Sequence, residues 1–317
     1  MAIIRLRPAF KDYIWGGTRL RDDFGKDCDF DKIAESWELS CHKDGDSVVA
    51  DGEDVGLTLR QYIERHGRAV LGTNCERFED FPILIKLIDA KDNLSVQVHP
   101  DNEYAQRVEG EYGKTEMWYV VDCDPGAELL YGFKHEISKE EFAERIGNNT
   151  LLEVTNNVPV HKGDVFFIEA GTLHAIGKGI LIAEIQQNSN TTYRIYDYGR
   201  VGKDGKPREL HVEKAQDVTV LAPAKQYPDT PAEQHEGWTS KLLARCEYFT
   251  VYALDIGGMA ELEADGTSFL DLLILEGEGT AGDTPFKKGD SIFVTAGTGR
   301  FAVNGKCKAV LTRIDKF

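Results

Sequence analysis

One stretch of this chain occurs twice. Residues 162–172 read KGDVFFIEAGT and residues 288–298 read KGDSIFVTAGT, in register without a gap. Lys162/Lys288, Gly163/Gly289, Asp164/Asp290, Phe167/Phe293, Ala170/Ala296, Gly171/Gly297 and Thr172/Thr298 are identical. In each copy a Lys-Gly-Asp turn feeds a strand and an Ala-Gly-Thr turn leads into the next one. The chain therefore contains two copies of one β unit. Its 317 residues agree, at roughly 150 residues per domain. The Pro-containing stretch LAPAKQYPDTPAEQ at 221–234 marks the junction. This places a linker at 223–239, between an N-terminal part, 1–222, and a C-terminal unit, 240–317.

Strand signals dominate elsewhere too. Short β-branched or aromatic runs alternate with Gly, Asp and Asn turns: ILIKLI at 83–88, LSVQVH at 94–99, MWYVV at 117–121, DVFFIE at 164–169, GILIAEIQ at 179–186 and TTYRIYDY at 191–198. Helical patterns are few. LTLRQYIERHG at 57–67 is one; another starts at Ser138, with Glu141 completing a capping-box pattern, and a short one follows Pro100. The class is mainly β, a sandwich or barrel, with a few short helices.

The two copies diverge after the second turn. The first continues Leu173-His174-Ala175, the second Gly299-Arg300-Phe301, so His174 aligns with Arg300. Metal chemistry at this position belongs to the first copy, and the second reads as scaffold.

Charge narrows the function classes. Lys and Arg number 37 against 54 Asp and Glu, a net charge of −17, which argues against general nucleic-acid or anionic-membrane binding. A small anionic substrate remains compatible, because a few clustered basic side chains can override the global field. Neither a signal-peptide pattern nor an apolar run near 20 residues is present. The six cysteines (28, 41, 75, 123, 246 and 307) include no CxxC pair and read as reduced thiols of a cytoplasmic protein. Phosphate-loop, dinucleotide-binding GxGxxG and GxSxG patterns are absent, so a bound phosphate would be held by side chains.

Four segments offer chemistry. Strand alternation in LSVQVHP puts Leu94, Val96 and Val98 on one face and Ser95, Gln97 and His99 on the other. In GKTEMWYVV, Lys114 and Glu116 share a face if the strand has begun by Lys114. His174 sits just after a glycine turn, and Arg194 shares parity with Thr192, Tyr196 and Tyr198. Taken singly, each has an ordinary reading: a half-exposed strand, a solvated pair, a hydrogen-bonded structural histidine, an arginine paired with Asp197 or another surface acid. Together, two histidines and a carboxylate match a metal site with three protein ligands and an open position, and Gln97 could supply a fourth ligand. The same set suits zinc or non-haem iron.

LSVQVHP, GKTEMWYVV, GTLHAIGKG and TTYRIYDYGR, in this order and spacing, resemble the type I mannose-6-phosphate isomerases. PAFKDYIWGGTRL and IAESWELS resemble the N-terminal part of that family, and the length resembles its short bacterial and archaeal branch. The resemblance implies a tandem cupin, two jelly-roll β-barrels with one Zn2+ per chain in the first. It implies His99, Glu116 and His174 as ligands with Gln97 as the fourth, and Arg194 as a catalytic arginine. Ser95, Lys86 and Lys114 match positions tied to substrate or its phosphate. Lys86, on a hydrophobic strand beside Leu84 and Ile88, would be explained by an anion inside the barrel. The implied reaction interconverts mannose 6-phosphate and fructose 6-phosphate through an enediol. Lys114, Glu184 and a zinc-bound hydroxide are the candidate bases, and Glu184 is also expected at the substrate. A cupin oxygenase and a non-catalytic sugar-phosphate-binding bicupin are the competing readings. The expected partner is a hexose 6-phosphate, with no nucleic acid or membrane, in a monomer or weak homo-oligomer.

Overall fold

The computed structural model describes residues 2–202 and 205–317. All of its paired strands are antiparallel. A six-stranded sheet runs in the order Val165–Ile168, Glu116–Cys123, Ile180–Gln187, Ile83–Ala90, Glu35–Leu39, Ala9–Lys11. A five-stranded sheet, in the order Thr155–Pro159, Glu128–Phe133, His174–Ala175, Val96–Val98, Tyr193–Tyr196, closes the first barrel. The eight C-terminal strands, joined by Ile3–Arg7 and Val48–Val49, form a ten-stranded sheet. The jelly-roll expectation matches this architecture.

Strand alternation assigns the two faces of the six-stranded sheet. Ile85, Leu87, Met117, Ala183 and Ile185 point away from the first barrel and pack with Phe249, Phe269, Leu273, Phe293 and Val310 of the C-terminal sheet. One apolar core thus fuses the two barrels, each fully buried large side chain contributing about 1.5–3 kcal/mol. Residues of the other parity, Ile88, Trp118, Val120 and Ile182, face the first barrel's interior. The strand Ile3–Arg7 hydrogen-bonds with Ser291–Val294, so the start of the chain is woven into the C-terminal sheet. The stretch expected as linker includes the strand Glu233–His235 and the start of Trp238–Arg245.

The repeat is visible atom by atom. Gly163 and Gly289 have φ of 93° and 92°, a region open to glycine. In the first copy the His161 N–H donates to Asp164 Oδ2 at 2.7 Å; in the second the Lys287 N–H donates to Asp290 Oδ2 at 2.9 Å. The interiors differ. Leu254, Leu272, Ile274, Ile292, Val294, Phe301 and Leu311 fill the second barrel, and Arg300 lies at the surface against Glu261 and Glu263.

The expected helices form at Leu59–His66, Lys139–Gly147 and Asn102–Val108. Ser138 accepts from the Glu141 N–H, but the Glu141 carboxylate pairs with Arg145 instead of returning to the cap, so only half of that capping box exists. The full box is at Thr58 and Gln61.

Candidate metal centre and substrate cleft

The site lies inside the first barrel, where the two sheets face each other. His174 opens a two-residue strand just after the turn at Gly171, whose φ is 88°. A Cβ at Gly171 would stand 2.9 Å from the Val218 carbonyl oxygen, so the turn that delivers His174 requires glycine. Gln97 pairs with His174 on one side and Arg194 on the other. On the opposite sheet, Glu184 is cross-strand from both Lys86 and Trp118, and Glu116 from Gln186.

His99, Glu116 and His174, all buried, bring their ligand atoms within 4.8 Å of one another. The ring tautomers follow from the backbone. His99 Nδ1–H donates to the Thr191 carbonyl at 2.9 Å, and His174 Nδ1–H donates to the Thr172 carbonyl at 2.8 Å. In the neutral rings each Nε2 then carries a lone pair, and the two Nε2 atoms are 3.1 Å apart. Burial, then Lys114, holds the His174 pKa down to about 4; burial, Lys114 and His174 push His99 well below its ordinary value. Glu116 Oε2 is 3.7 Å from His99 Nε2 and Oε1 is 3.5 Å from His174 Nε2. Neither Glu116 oxygen accepts a well-directed hydrogen bond, although Lys114 Nζ ion-pairs with Oε2 at 2.5 Å. Burial and neighbouring Glu184 raise the Glu116 carboxyl to about 7, against the opposing pull of Lys114. Two facing imidazole lone pairs and an under-bonded buried carboxylate form a donor set that fits a cation. Gln97 lies beside it, its amide 3.4 Å from His174 Nε2.

Lys114 and Glu116 converge although the strand begins only at Glu116. Lys114 Nζ also lies 3.1 Å from His99 Nε2 and 3.6 Å from Glu184 Oε1. Lys86 is buried and points inward, but the anions that accommodate it are the protein's own: Glu35 at 3.5 Å and Glu184 at 3.3 Å. Burial alone would lower the Lys86 pKa; the two carboxylates reverse this and raise it. The same balance works on Glu184, where burial is outweighed by Lys114 and Lys86 and the pKa is lowered. Fully ionised, Lys86 and Lys114 against Glu35, Glu116 and Glu184 carry a net charge of −1; a divalent cation makes it +1.

Beyond Gln97 the cleft turns toward an arginine-rich end. Ser95 Oγ donates to Gln97 Oε1 at 3.4 Å and accepts from Arg194 Nε at 3.2 Å. Leu94 departs from the alternation expected of it. It joins Ile88 and Trp118 inside the barrel, while Val96 and Val98 pack on the outer face with Phe133 and Phe142. The reason is that the ladder begins only at Val96, and the Leu94 N–H is held by the Ile176 carbonyl. Asp197 is not the partner of Arg194; it is taken by Arg200 and Arg208.

The resulting cavity, about 240 Å3, is lined by Lys86, Lys114, Glu184, Gln97, Ser95 and Arg194 from the expected set. It is also lined by Tyr13, Glu35, Asn190 and Arg208, which the sequence reading did not single out. Glu35 is held there by Trp37, which stands cross-strand from Lys86 and donates its Nε1–H to Glu35 Oε2 at 2.7 Å, a pairing that no local sequence signal announces. A crevice of about 520 Å3 near Asn93 and Asp124 is larger but brings no comparable set of titratable groups together.

A β-barrel with a buried His-Glu-His cluster, fused to a second barrel in which no such cluster occurs among the described residues, defines a cupin-fold protein with one candidate metal site. Comparison with known proteins gives the family. Residues 3–123 match the phosphomannose isomerase type I catalytic domain and residues 239–314 the mannose-6-phosphate isomerase cupin domain. The chain is 40% identical to the mannose-6-phosphate isomerase ManA of Bacillus subtilis over 313 residues, 97% of this chain and 98% of that protein. It is 41% identical to the mannose-6-phosphate isomerase of Streptococcus mutans over 286 residues, covering 89% of this chain and 88% of that one. The crystal structure of the mannose 6-phosphate isomerase from Bacillus subtilis superposes with a TM-score of 0.93, at 39% identity, covering 99% of this chain and all of that one. The chain belongs to the type I mannose-6-phosphate isomerase family.

Proposed function

We propose that this enzyme interconverts D-mannose 6-phosphate and D-fructose 6-phosphate in the cleft of the first barrel, with zinc held by Gln97, His99, Glu116 and His174. The observation that carries this reading is a cavity lined by the Lys114–Glu184 pair and the Arg194–Ser95 end, with the cation-seeking His99–Glu116–His174 set directly behind Lys114 and Gln97 of its wall. When bound, the metal ion supplies Lewis-acid polarisation of sugar oxygens.

The remaining chemistry belongs to the chain. Glu184 Oε1 and Lys114 Nζ, 3.6 Å apart, place a carboxylate whose pKa is lowered beside a lysine nitrogen. Such a pair can take a proton from one carbon, return it to the neighbouring carbon and serve the adjacent oxygens without leaving the cleft. Trp118 Nε1–H donates to Glu184 Oε2 at 3.1 Å and fixes the carboxylate's orientation. Arg194 contributes a permanent charge for the developing oxyanion or the phosphate. Burial of the cleft strengthens these interactions by excluding water.

The test is a coupled assay on mannose 6-phosphate before chelation, after it, and after zinc is restored. Activity lost with chelator and regained with zinc is expected, and Arg194→Ala should lower kcat/KM by about 100- to 1000-fold. A fully zinc-loaded protein inactive on this substrate would overturn the reading and favour an oxygenase or a binding module. The chain is proposed to act in the cytoplasm. Among the described residues no helix is long and apolar enough to cross a membrane.

A further inference from the structure

Arg208 lies fourteen positions after Arg194 in sequence and beside it in space. Residues 207–211 lie back against the strand Tyr193–Tyr196. Val201 bridges to Pro207, the His211 N–H donates to the Arg194 carbonyl at 2.7 Å, and the Arg194 N–H donates to His211 Nδ1 at 3.2 Å. Arg194 Nη1 reaches across to the Glu209 carbonyl at 2.9 Å. These contacts pin residues 207–211 against the strand that carries Arg194.

Asp197 then decides where the Arg208 side chain goes. Its carboxylate takes Arg208 Nε at 2.7 Å and Nη2 at 2.6 Å, a two-pronged fork that leaves Nη1 outside the pair. Arg200 also donates to Asp197, but it is committed further, to the Asn93 carbonyl and to the face of Tyr198, and it does not line the cleft. Arg208 does line it, with Arg194, Ser95 and Thr192. Asp197 therefore offsets one of the three guanidinium charges of Arg194, Arg200 and Arg208, of which Arg194 and Arg208 line the cavity. Two half-buried like charges held together by a folded loop are a costly arrangement in an empty cleft and a favourable one around a dianion.

Resting on the hexose 6-phosphate reading above, we propose that Arg208, aimed by Asp197, is the second arm of a clamp whose first arm is Arg194, and that it grips the phosphate of the substrate. It is thereby the residue that makes the cleft prefer phosphorylated sugars. The reacting carbons would lie toward Lys114 and Glu184, at the other end of the same cavity.

The experiment compares the zinc-loaded wild type with Arg208→Ala and Arg208→Lys. The measured quantities are kcat and KM for mannose 6-phosphate and inhibition by inorganic phosphate and by unphosphorylated mannose. For Arg208→Ala, KM and the inhibition constant of inorganic phosphate should each rise about 10- to 100-fold. Here kcat should stay within about threefold and inhibition by mannose should not change. Arg208→Lys, which keeps the charge but not the fork, should fall between. A fall in kcat at unchanged KM would assign Arg208 to the loop's architecture and overturn the proposal, as would unchanged phosphate inhibition. Calorimetric titration with inorganic phosphate separates this from the isomerase reading. Loss of phosphate binding in Arg208→Ala supports the clamp even if the wild type proves inactive on mannose 6-phosphate; equal binding in both overturns it.

Discussion

His99 and His174, 75 residues apart in sequence, point their Nε2 lone pairs at each other across 3.1 Å, each locked from behind by a backbone carbonyl. Neither nitrogen can donate to the other, and burial keeps both rings from protonating. Such a contact is unfavourable alone and becomes favourable when a cation sits between the donors. His99→Ala, His174→Ala and Glu116→Gln should therefore each lower the bound metal well below one ion per chain and reduce activity by at least about 100-fold. Elemental analysis after dialysis checks this, and full metal occupancy in all three variants would remove the assigned ligand set. Chelation should also lower the thermal midpoint of the wild type, because the ion binds the folded chain. The same treatment should move the His174→Ala midpoint far less.

Lys86 is a stability residue as much as a substrate candidate. Removing it leaves Glu35 and Glu184 facing each other in a buried space, with Trp37 no longer under an ammonium. Lys86→Met should cost about 3–5 kcal/mol in urea unfolding, the range for breaking a buried ion pair from one side. Adding Glu184→Gln should recover part of that loss, a non-additivity of about 1 kcal/mol or more. Strictly additive losses would mean that the two groups do not interact.

How much of this was legible in the sequence depended on distance along the chain. The repeat, the strand faces and the histidine–carboxylate set are local patterns, and alternation alone put Ser95, Gln97 and His99 on one side. Lys86 was correctly seen as a charge needing an explanation, but its partners come from strands whose pairing no local pattern announces: Glu35 lies 51 positions away and Glu184 lies 98. Leu94 failed because alternation was extended past the point where the ladder starts. Arg208 was missed because a loop, not a periodic element, carries it back to the cleft.

The repeated turn gives a matched pair of substitutions. Gly163 and Gly289 share a left-handed conformation, so alanine at either should cost about 1–2 kcal/mol from backbone strain. Their surroundings differ. A Cβ at Gly163 meets only the Tyr119 hydroxyl, at 4.0 Å, whereas a Cβ at Gly289 would stand 2.7 Å from the Phe24 carbonyl oxygen. Gly289→Ala should therefore be the more damaging by a further ~1–3 kcal/mol. Urea unfolding of the two variants decides it; equal losses would mean that the Phe24 segment shifts without resistance.

Asp271 links stability to pH far from the metal centre. It is buried on the strand Leu270–Ala281, accepts from Ser291 Oγ at 2.7 Å through Oδ1, and leaves Oδ2 without a partner. Burial raises its pKa to about 7, the Ser291 hydrogen bond opposes this, and Glu38 of the facing sheet adds to it. The unfolded chain releases this proton near the ordinary value of 3.8, so between there and about pH 7 the folded state binds more protons than the unfolded. Stability contributed by this group must then fall as pH rises through that window and level off above it. Asp271→Asn cannot titrate and escapes the decline, while every other group is shared by the two proteins. The difference in unfolding free energy, variant minus wild type, should therefore grow in the variant's favour from pH 4 to 7, by at most roughly 4 kcal/mol. It should level off above about pH 8. Urea midpoints of both proteins at unit pH steps measure it, and parallel profiles would show that Asp271 titrates alike in the folded and unfolded states.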